Sequence, residues 1–427
     1  MRYTYRLYSD EGEKEFSKWV VNHDWGEVLD VVGSNEKAMA YQRHIDAAMD
    51  AFFPYVTTVR KSTEPPWINA RVKRRIKQRR SVYRREGRSA TWKRLKKVTD
   101  SLIAKRKNKY MDSQRDVLLQ DDSERCFFKN IKSYGCKEKP KPFDVRTLTP
   151  GFSDNQCAEK LADHFNAISR EFQPLEPDQV PITFNENLPV LQRYQVAGRL
   201  RSFRKPKSMV RGDLFPKLVT KFADFLAIPL TAVYNEVVRT GRWPLEWKKE
   251  YVTAIPKCTA PGGHDDLRNI SCTLLISKVL ESYVLEWAAK TVKLKTNQYG
   301  GVKGSGAPHL LIEVWQKICS DLEDCRAATL VTSIDFAKAF NRLSFQHCLA
   351  SFAEHGASTQ IIGLLATFLS NRSMTVRVQN EWSVPRQVHG GVPQGSILGV
   401  FLFNVAIDGL EGEEAESFSR WSRIRCR

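Results

Sequence analysis

The sequence predicts a mixed α/β domain in its C-terminal part, preceded by a mainly helical and strongly basic region. Three observations carry that reading. Residues 327–340 open as an apolar, β-branched run, which reads as a strand buried on both faces and ends on a carboxylate, Asp335. Segments of helical and of alternating period succeed one another over residues 190–410. Residues 71–110 hold 18 Lys and Arg against two acids, Glu86 and Asp100.

That local excess decides what the charge of the chain means. The 427 residues carry a net +19, of which 71–110 contribute +16 and the other 387 residues +3. An arm of this kind suits a polyanion, most simply nucleic acid. The length suits two or three domains, and 42% hydrophobic content can bury a sizeable core. Nine cysteines include no CxxC pair, so neither a zinc spacing nor a disulfide framework is visible. The expected setting is intracellular, nucleus or cytoplasm, with reduced thiols. Residues 1–6 hold no apolar core of a signal peptide, and no run of about 18 apolar residues occurs, so no membrane span is expected.

Residues 1–60 read as short helices, with Trp19, Trp25, Val28 and Ala38 on their apolar faces. Pro65–Pro66 break the pattern, because paired prolines cannot continue a helix. Residues 68–135 read as one or two long helices, since Trp92, Leu95, Val98, Leu102 and Ile103 recur at helical spacing among Lys and Arg. The basic side would follow a phosphate backbone. Its candidate contacts are Arg71, Lys73, Arg74, Arg75, Lys77, Arg79, Arg80, Arg84 and Arg85, followed by Lys93, Arg94, Lys96 and Lys97. A solvated charged helix is the plainer alternative, but like charges crowded this densely are costly without a counter-anion. Residues 136–190 read as loop-rich, with seven prolines interrupted by a helix over 154–169. A domain boundary is placed near 150. Residues 190–245 return to helix, with Phe215, Leu218, Phe222, Leu226, Leu230 and Val233 as a core stripe closed by Trp243–Pro244.

The chemistry-bearing stretches follow. Residues 251–257 read as a short strand ending on Lys257, and Arg268-Asn269-Ile270-Ser271 follows after a Gly-Gly loop. Two cations facing each other across such a loop suit a triphosphate, to which Arg adds planar two-point contact. Residues 298–304 form a glycine-rich turn, where backbone can approach a ligand closely. Asp335 lies where open α/β sheets bind ligands and could hold a divalent cation, or it could simply cap a helix. Two helices are expected next, over 344–354 with Gly356 beyond the end and over 359–369 behind Ser358. Alternating residues 374–378 and 386–389 then read as a hairpin leading into Gly390-Gly391-Val392-Pro393-Gln394-Gly395-Ser396, which opens an apolar helix over 397–410.

Asp335-Phe-Ala-Lys-Ala-Phe340, followed by Gly391-Val-Pro-Gln-Gly-Ser-Ile-Leu-Gly399, resembles two successive motifs of reverse transcriptases in order and distance. Ile255-Pro256-Lys257, Arg268-Asn-Ile-Ser271 and Gln298-Tyr-Gly-Gly-Val-Lys-Gly304 resemble the upstream motifs, and the set is similar to non-LTR retrotransposon polymerases. The resemblance covers 245–410 strongly and 1–245 only weakly. It implies a right-hand polymerase fold with fingers and a partial palm over 246–427, a polymerase extension over 151–245 and a basic linker over 1–150. It also implies RNA-templated DNA synthesis, with RNA template, DNA primer or target and deoxynucleoside triphosphates as partners. Asp335 and the Phe336 carbonyl would hold Mg²⁺. Phe340 would stack under the sugar and Gln394 contact the nucleotide. Pro393 and Gly395 would shape the turn, and Lys257 and Arg268 would hold phosphates.

The pattern departs from the family at Asn341, where Asp is the commoner form, and at Gly301, where an aromatic is usual. The later hairpin with two adjacent aspartates is not found after Leu410, although Glu411, Glu413, Glu414 and Glu416 are acidic. The chain is therefore expected to be a C-terminally incomplete fragment, without the upstream endonuclease and inactive alone. A non-catalytic nucleic-acid-binding remnant of a decayed element is the alternative.

Overall fold

Strong local signals set the N-terminal elements. After β1 (Arg2–Arg6), the Ser9 hydroxyl accepts from the Gly12 amide and caps α1 (Asp10–Asn22), whose first turn carries three acids that favour its positive end. α2 (Gly26–Asp30), α3 (Ser34–Phe52) and β2 (Tyr55–Val59) follow. The structure, a computed structural model, describes residues 2–59, 65, 67–120, 143–176, 188–203, 209–294, 298–323, 331, 333 and 335–408. It forms two compact units, residues 1–5 with 56–143 and residues 6–55 with 144–427. Among the described residues no helix is long and apolar enough to cross a membrane.

In the first unit β1 pairs with β2, two strands where short helices alone are expected. Asn69 caps α4 (Ala70–Glu86), and Gly87, in the left-handed region at φ 63°, turns the chain into α5 (Ala90–Gln120). The two helices pack along each other over Val72, Val82 and Thr99. Of the expected apolar stripe on α5, Val98 remains 47% exposed, because the inward position belongs to Thr99. The part of the expected helix over 121–135 lies outside the described residues.

The second unit holds the main core. Residues 6–55, grouped with the basic arm on sequence grounds, instead share that core: Phe16, Trp25, Tyr41 and Phe53 pack in one cluster with Leu218, Tyr234 and Val284. The expected stripe over 215–233 is part of the same cluster. Its helices are α6 (Asp154–Ala167), capped by Ser153, then α7 (Arg193–Ser202), α8 (Pro216–Lys221) and α9 (Ala223–Thr240). β3 (Lys249–Pro256) and β4 (Leu267–Cys272) form an antiparallel hairpin followed by α10 (Leu275–Thr291) and α11 (Ala307–Glu323). α12 (Phe345–Glu354) starts one residue later than expected, with Ser344 as its cap, and α13 (Thr359–Leu369) starts at the expected Ser358 cap. β5 (Arg372–Val378) runs parallel to β3, while β6 (Glu381–Trp382) and β7 (Arg386–Val388) share its other edge in antiparallel register. α14 (Leu398–Ile407) closes the described chain.

The strand expected over 327–334 lies mostly outside the described residues. Val331 and Ser333 are described, and the expectation of burial fails there: both are exposed, Val331 to 61%, and neither joins the sheet. At these two positions no neighbouring strand covers the side chains, so neither face is buried there. Residues 409–427, with the acids after Leu410, also lie outside the described residues.

Candidate nucleotide site

The site is built on the β3–β4 hairpin. Ile255 pairs with Arg268 and Pro256 with Leu267, and the Lys257 amide donates to the Asp266 carbonyl at 2.7 Å. This brings Lys257 and Arg268 together across the loop, as their spacing predicts. Lys257 Nζ donates to the Asp265 carbonyl at 2.7 Å, while no carboxylate lies within ion-pair reach of Arg268 among the described residues.

Backbone contacts then join the two most specific motifs. The Gly391 amide donates to the Leu343 carbonyl and the Val392 amide to the Phe340 carbonyl, both at 2.8 Å, and Ser344 bridges to Gly390. Gly391 is at φ 85°, and a Cβ there would lie 2.9 Å from the Asn341 carbonyl oxygen. One residue pair further on, the Ser271 amide donates to the Gln394 carbonyl at 3.0 Å. A Cβ on Gly395 would lie 2.2 Å from the Ser271 oxygen. Both glycines are therefore required by close backbone approach. The turn is consequently tied to β4 on one side and to residues 340–344 on the other.

Two buried acids brace this arrangement. Glu281 on α10 is fully buried, and its Oε2 accepts from Ser396 Oγ and the Ile397 amide, both at 2.7 Å. A carboxylate there satisfies amides left free at the start of α14 and complements the positive helix end. Glu250 on β3 accepts from Ser271 Oγ at 2.6 Å and from Arg372 Nε at 2.8 Å, so one carboxylate links β3, β4 and β5. Arg372 is itself fully buried, donates to the Phe368 carbonyl at 3.0 Å and lies 4.7 Å over the Phe368 ring.

The result is a cavity of about 190 Å³. Lys257, Arg268, Phe340 and Gln394, expected from the resemblance to act on one nucleotide, line it together, and Asn341 lines it with them. Phe340 is stacked on Phe403, ring centres 4.8 Å apart, which fixes one wall. Pro393 is buried, and its carbonyl accepts from the Ser396 amide and closes the turn. Asp335 and Phe336 are exposed and are not among the lining residues.

Sequence reasoning missed four participants. Lys338 lies within a quoted motif without an assigned role; it adopts a left-handed backbone, φ 56°, and its amine pairs with Asp265 at 2.7 Å. That cation holds the Asp265 carboxyl below its usual range. His164, from the helix in the loop-rich region, lies 3.5 Å from the same carboxylate, and burial pushes its pKa down. Asp265 sits between Lys257 and Arg268 in the loop, which was the available signal. Glu281 offered none, because an acid inside an apolar helix does not reveal what it caps. Three cations, Lys257, Arg268 and Lys338, thus face the cavity against one acid, an arrangement suited to a polyphosphate.

A divalent ion fits less well. Mg²⁺ takes oxygen ligands and keeps several waters, and clamping two ions takes more than one carboxylate. Among the described residues no group of three metal-ligating side chains gathers, and Asp335 is exposed. These residues do not by themselves compose a metal site. At Gly301 the departure from the family has a physical reason: φ is 72°, and a Cβ would lie 2.4 Å from Val400 Cγ1 on α14. An aromatic has no room there.

Residues 255–422 match the family described as reverse transcriptase (RNA-dependent DNA polymerase). The chain is 28% identical over 181 residues to the "Probable RNA-directed DNA polymerase from transposon BS" of Drosophila melanogaster, a match covering 41% of this chain and 20% of that protein. It is 26% identical over 262 residues to the 115 kDa protein of the type-1 retrotransposable element R1DM of the same fly, covering 58% of this chain and 24% of the relative. It is also 26% identical over 187 residues to the Pol polyprotein of the type-1 retrotransposable element R2 of Popillia japonica, covering 43% and 26%. The chain spans about a fifth to a quarter of the length of these curated relatives. Residues 255–422, which carry the motifs joined at the cavity, thus match the reverse transcriptase family model, and the curated relatives that the chain resembles are proteins of transposable elements.

Proposed function

We propose that this chain supplies the nucleotide-binding part of a retrotransposon enzyme that copies RNA into DNA. One observation carries the reading: four dispersed stretches place Lys257, Arg268, Phe340 and Gln394 around a single cationic cavity. In this reading the β3–β4 hairpin belongs to the fingers, and β5, β7 and α12–α14 belong to the palm. Arg268 grips two phosphate oxygens through its planar fork, Lys257 and Lys338 supply point charges, and the Phe340 ring lies under the sugar. The Gln394 amide hydrogen-bonds the nucleotide.

Nucleotide binding and polymerisation separate in experiment. A deoxynucleoside triphosphate titrated into the 427-residue chain is expected to bind, and Arg268→Gln should weaken it about tenfold, one charge-assisted two-point contact being lost. Equal affinity in both forms would remove Arg268 from the site. Primer extension on an RNA template with Mg²⁺ or Mn²⁺ is expected to give no product, because among the described residues no group of three metal-ligating side chains gathers and positioning without charge stabilisation leaves the displacement slow. Extension that vanishes with Asp335→Ala would refute this. Nucleotide binding without extension is the expected pair of results. Absence of both favours the second reading, a nucleic-acid-binding remnant, which the +16 charge of 71–110 supports independently.

A further inference from the structure

The α4–α5 hairpin combines its charge with two aromatic pairs. Near the turn, the Tyr83 and Trp92 rings lie 5.6 Å apart and Lys96 Nζ lies 5.6 Å from the Trp92 ring centre. At the other end Trp67 and Tyr110 lie 5.8 Å apart, and Lys107 Nζ lies 5.8 Å from the Trp67 ring centre. Both indoles are half-buried, and Tyr83 beside Trp92 is exposed. Helical rise puts Trp92 and Tyr110 about 27 Å apart along α5. At the turn and along the start of α5 opens a shallow cleft of about 520 Å³, lined by Arg88, Trp92, Lys93, Lys96, Lys97 and Asp100. Its one acid, Asp100, already pairs with Arg79 at 2.8 Å, and Glu86 pairs with Arg85. Residues 71–110 hold no further carboxylate, so the cleft cations remain uncompensated within the arm.

We infer that this hairpin binds single-stranded nucleic acid, with bases stacked on Trp92 and Trp67 and phosphates held by the intervening cations. The inference rests on the polyanion-binding reading of the arm and adds the kind of strand. A duplex presents phosphates outward but keeps its base faces stacked inside, so the accessible parts of the indoles add nothing to duplex binding. A single strand offers phosphates and base faces together, and every base has a face that an aromatic ring can cover. Charge alone would need no tryptophan. Each indole packs against a tyrosine, Trp92 in the wall of the cleft and Trp67 at the far end, and each has a lysine amine within 6 Å of its ring, so a cation is at hand for the phosphate next to a stacked base.

The test uses the full chain and fluorescence anisotropy, with a labelled pyrimidine-rich RNA strand and the same strand annealed to its complement, each titrated across salt. The single strand is expected to bind more tightly. Trp92→Leu should cost roughly five- to hundredfold on the single strand and leave duplex affinity unchanged. Trp92→Phe, which keeps a ring and guards against a folding defect, should restore most of the loss. The triple change Lys93→Gln, Lys96→Gln, Lys97→Gln should weaken both and reduce the salt slope by about 2 to 3. Equal loss on strand and duplex with Trp92→Leu, no loss on either, or no rescue by Phe overturns the stacking proposal while leaving the arm a polyanion binder. An unchanged salt slope in the lysine variant overturns the polyanion reading itself, and the proposal with it.

Discussion

The α4–α5 hairpin buries two apolar side chains, Val72 and Val82, and keeps nearly all its Lys and Arg in solvent. The cavity unit does the reverse: it fully buries Glu281 and Arg372, nearly buries Glu250, and draws its walls from residues 164–168, 257–269, 338–341 and 394. In the hairpin, two consecutive helices meet across one short turn, through side chains alone such as Arg79 with Asp100, and one changed residue should leave the rest in place. In the cavity, residues far apart in sequence meet only because glycine backbones touch and buried acids accept several donors at once. The difference teaches where each region should be fragile. The hairpin should tolerate backbone changes and respond to lost charge; the cavity should fail when a joint is removed.

Glu281→Ala should have the largest effect. It strips the Ser396 hydroxyl and the Ile397 amide of a charged acceptor inside the core, at about 3 to 4 kcal/mol. Urea unfolding would measure it, and a loss below about 1 kcal/mol would mean that water replaces the carboxylate. Gly395→Val comes next, at about 2 to 3 kcal/mol for a backbone at φ 140° pressed on Ser271. Nucleotide affinity should fall with it, and a variant stable yet unable to bind would place the turn's importance in shape alone.

The third test is pH. Lys248, buried with its amine donating to the Thr367 carbonyl at 3.0 Å, has its pKa pushed down to about 8 by burial and by nearby Arg372. The folded value lies below the unfolded value near 10.5, so between them the unfolded chain binds more protons and stability rises with pH. A gain on the order of 2 kcal/mol from about pH 8 to about pH 10 is expected, and Lys248→Met should flatten it. A slope surviving in that variant would assign the rise elsewhere. Gly87→Ala is the smallest. The turn sits at φ 63° with open space around a Cβ, so about 1 kcal/mol is expected and RNA affinity should hold. A loss comparable to that of Gly395→Val would erase the contrast between the two regions.

Local signals were legible where a short stretch contains its own partner. The Ser358 cap was read from the sequence because its hydroxyl accepts an amide only three residues on; Ser153 and Ser344 cap in the same way, at the starts of helices whose extents were read from their period. The β3–β4 hairpin was readable because Lys257 and Arg268 flank a single Gly-Gly loop. The core stripe over 215–233 followed from its period. Illegible were β1 and β2, since a two-stranded pair needs a partner some fifty residues away, as Thr4 and Thr57 show. Equally illegible was the placement of residues 6–55 in the core of the second unit, because an amphipathic helix does not specify which apolar face it will meet.

By itself the sequence determined the charge of the arm, the helices that cap themselves and the order of the motifs, because each depends on residue identity within a few positions. Only the tertiary structure decided that Gly391 touches Asn341 and Gly395 touches Ser271, that Lys338 and His164 reach Asp265, and that Glu281 anchors Ser396. The physical reason is range. Capping and helical periodicity act over three or four residues, whereas a shared acceptor or a sub-3 Å backbone approach exists only once packing has brought distant chain together.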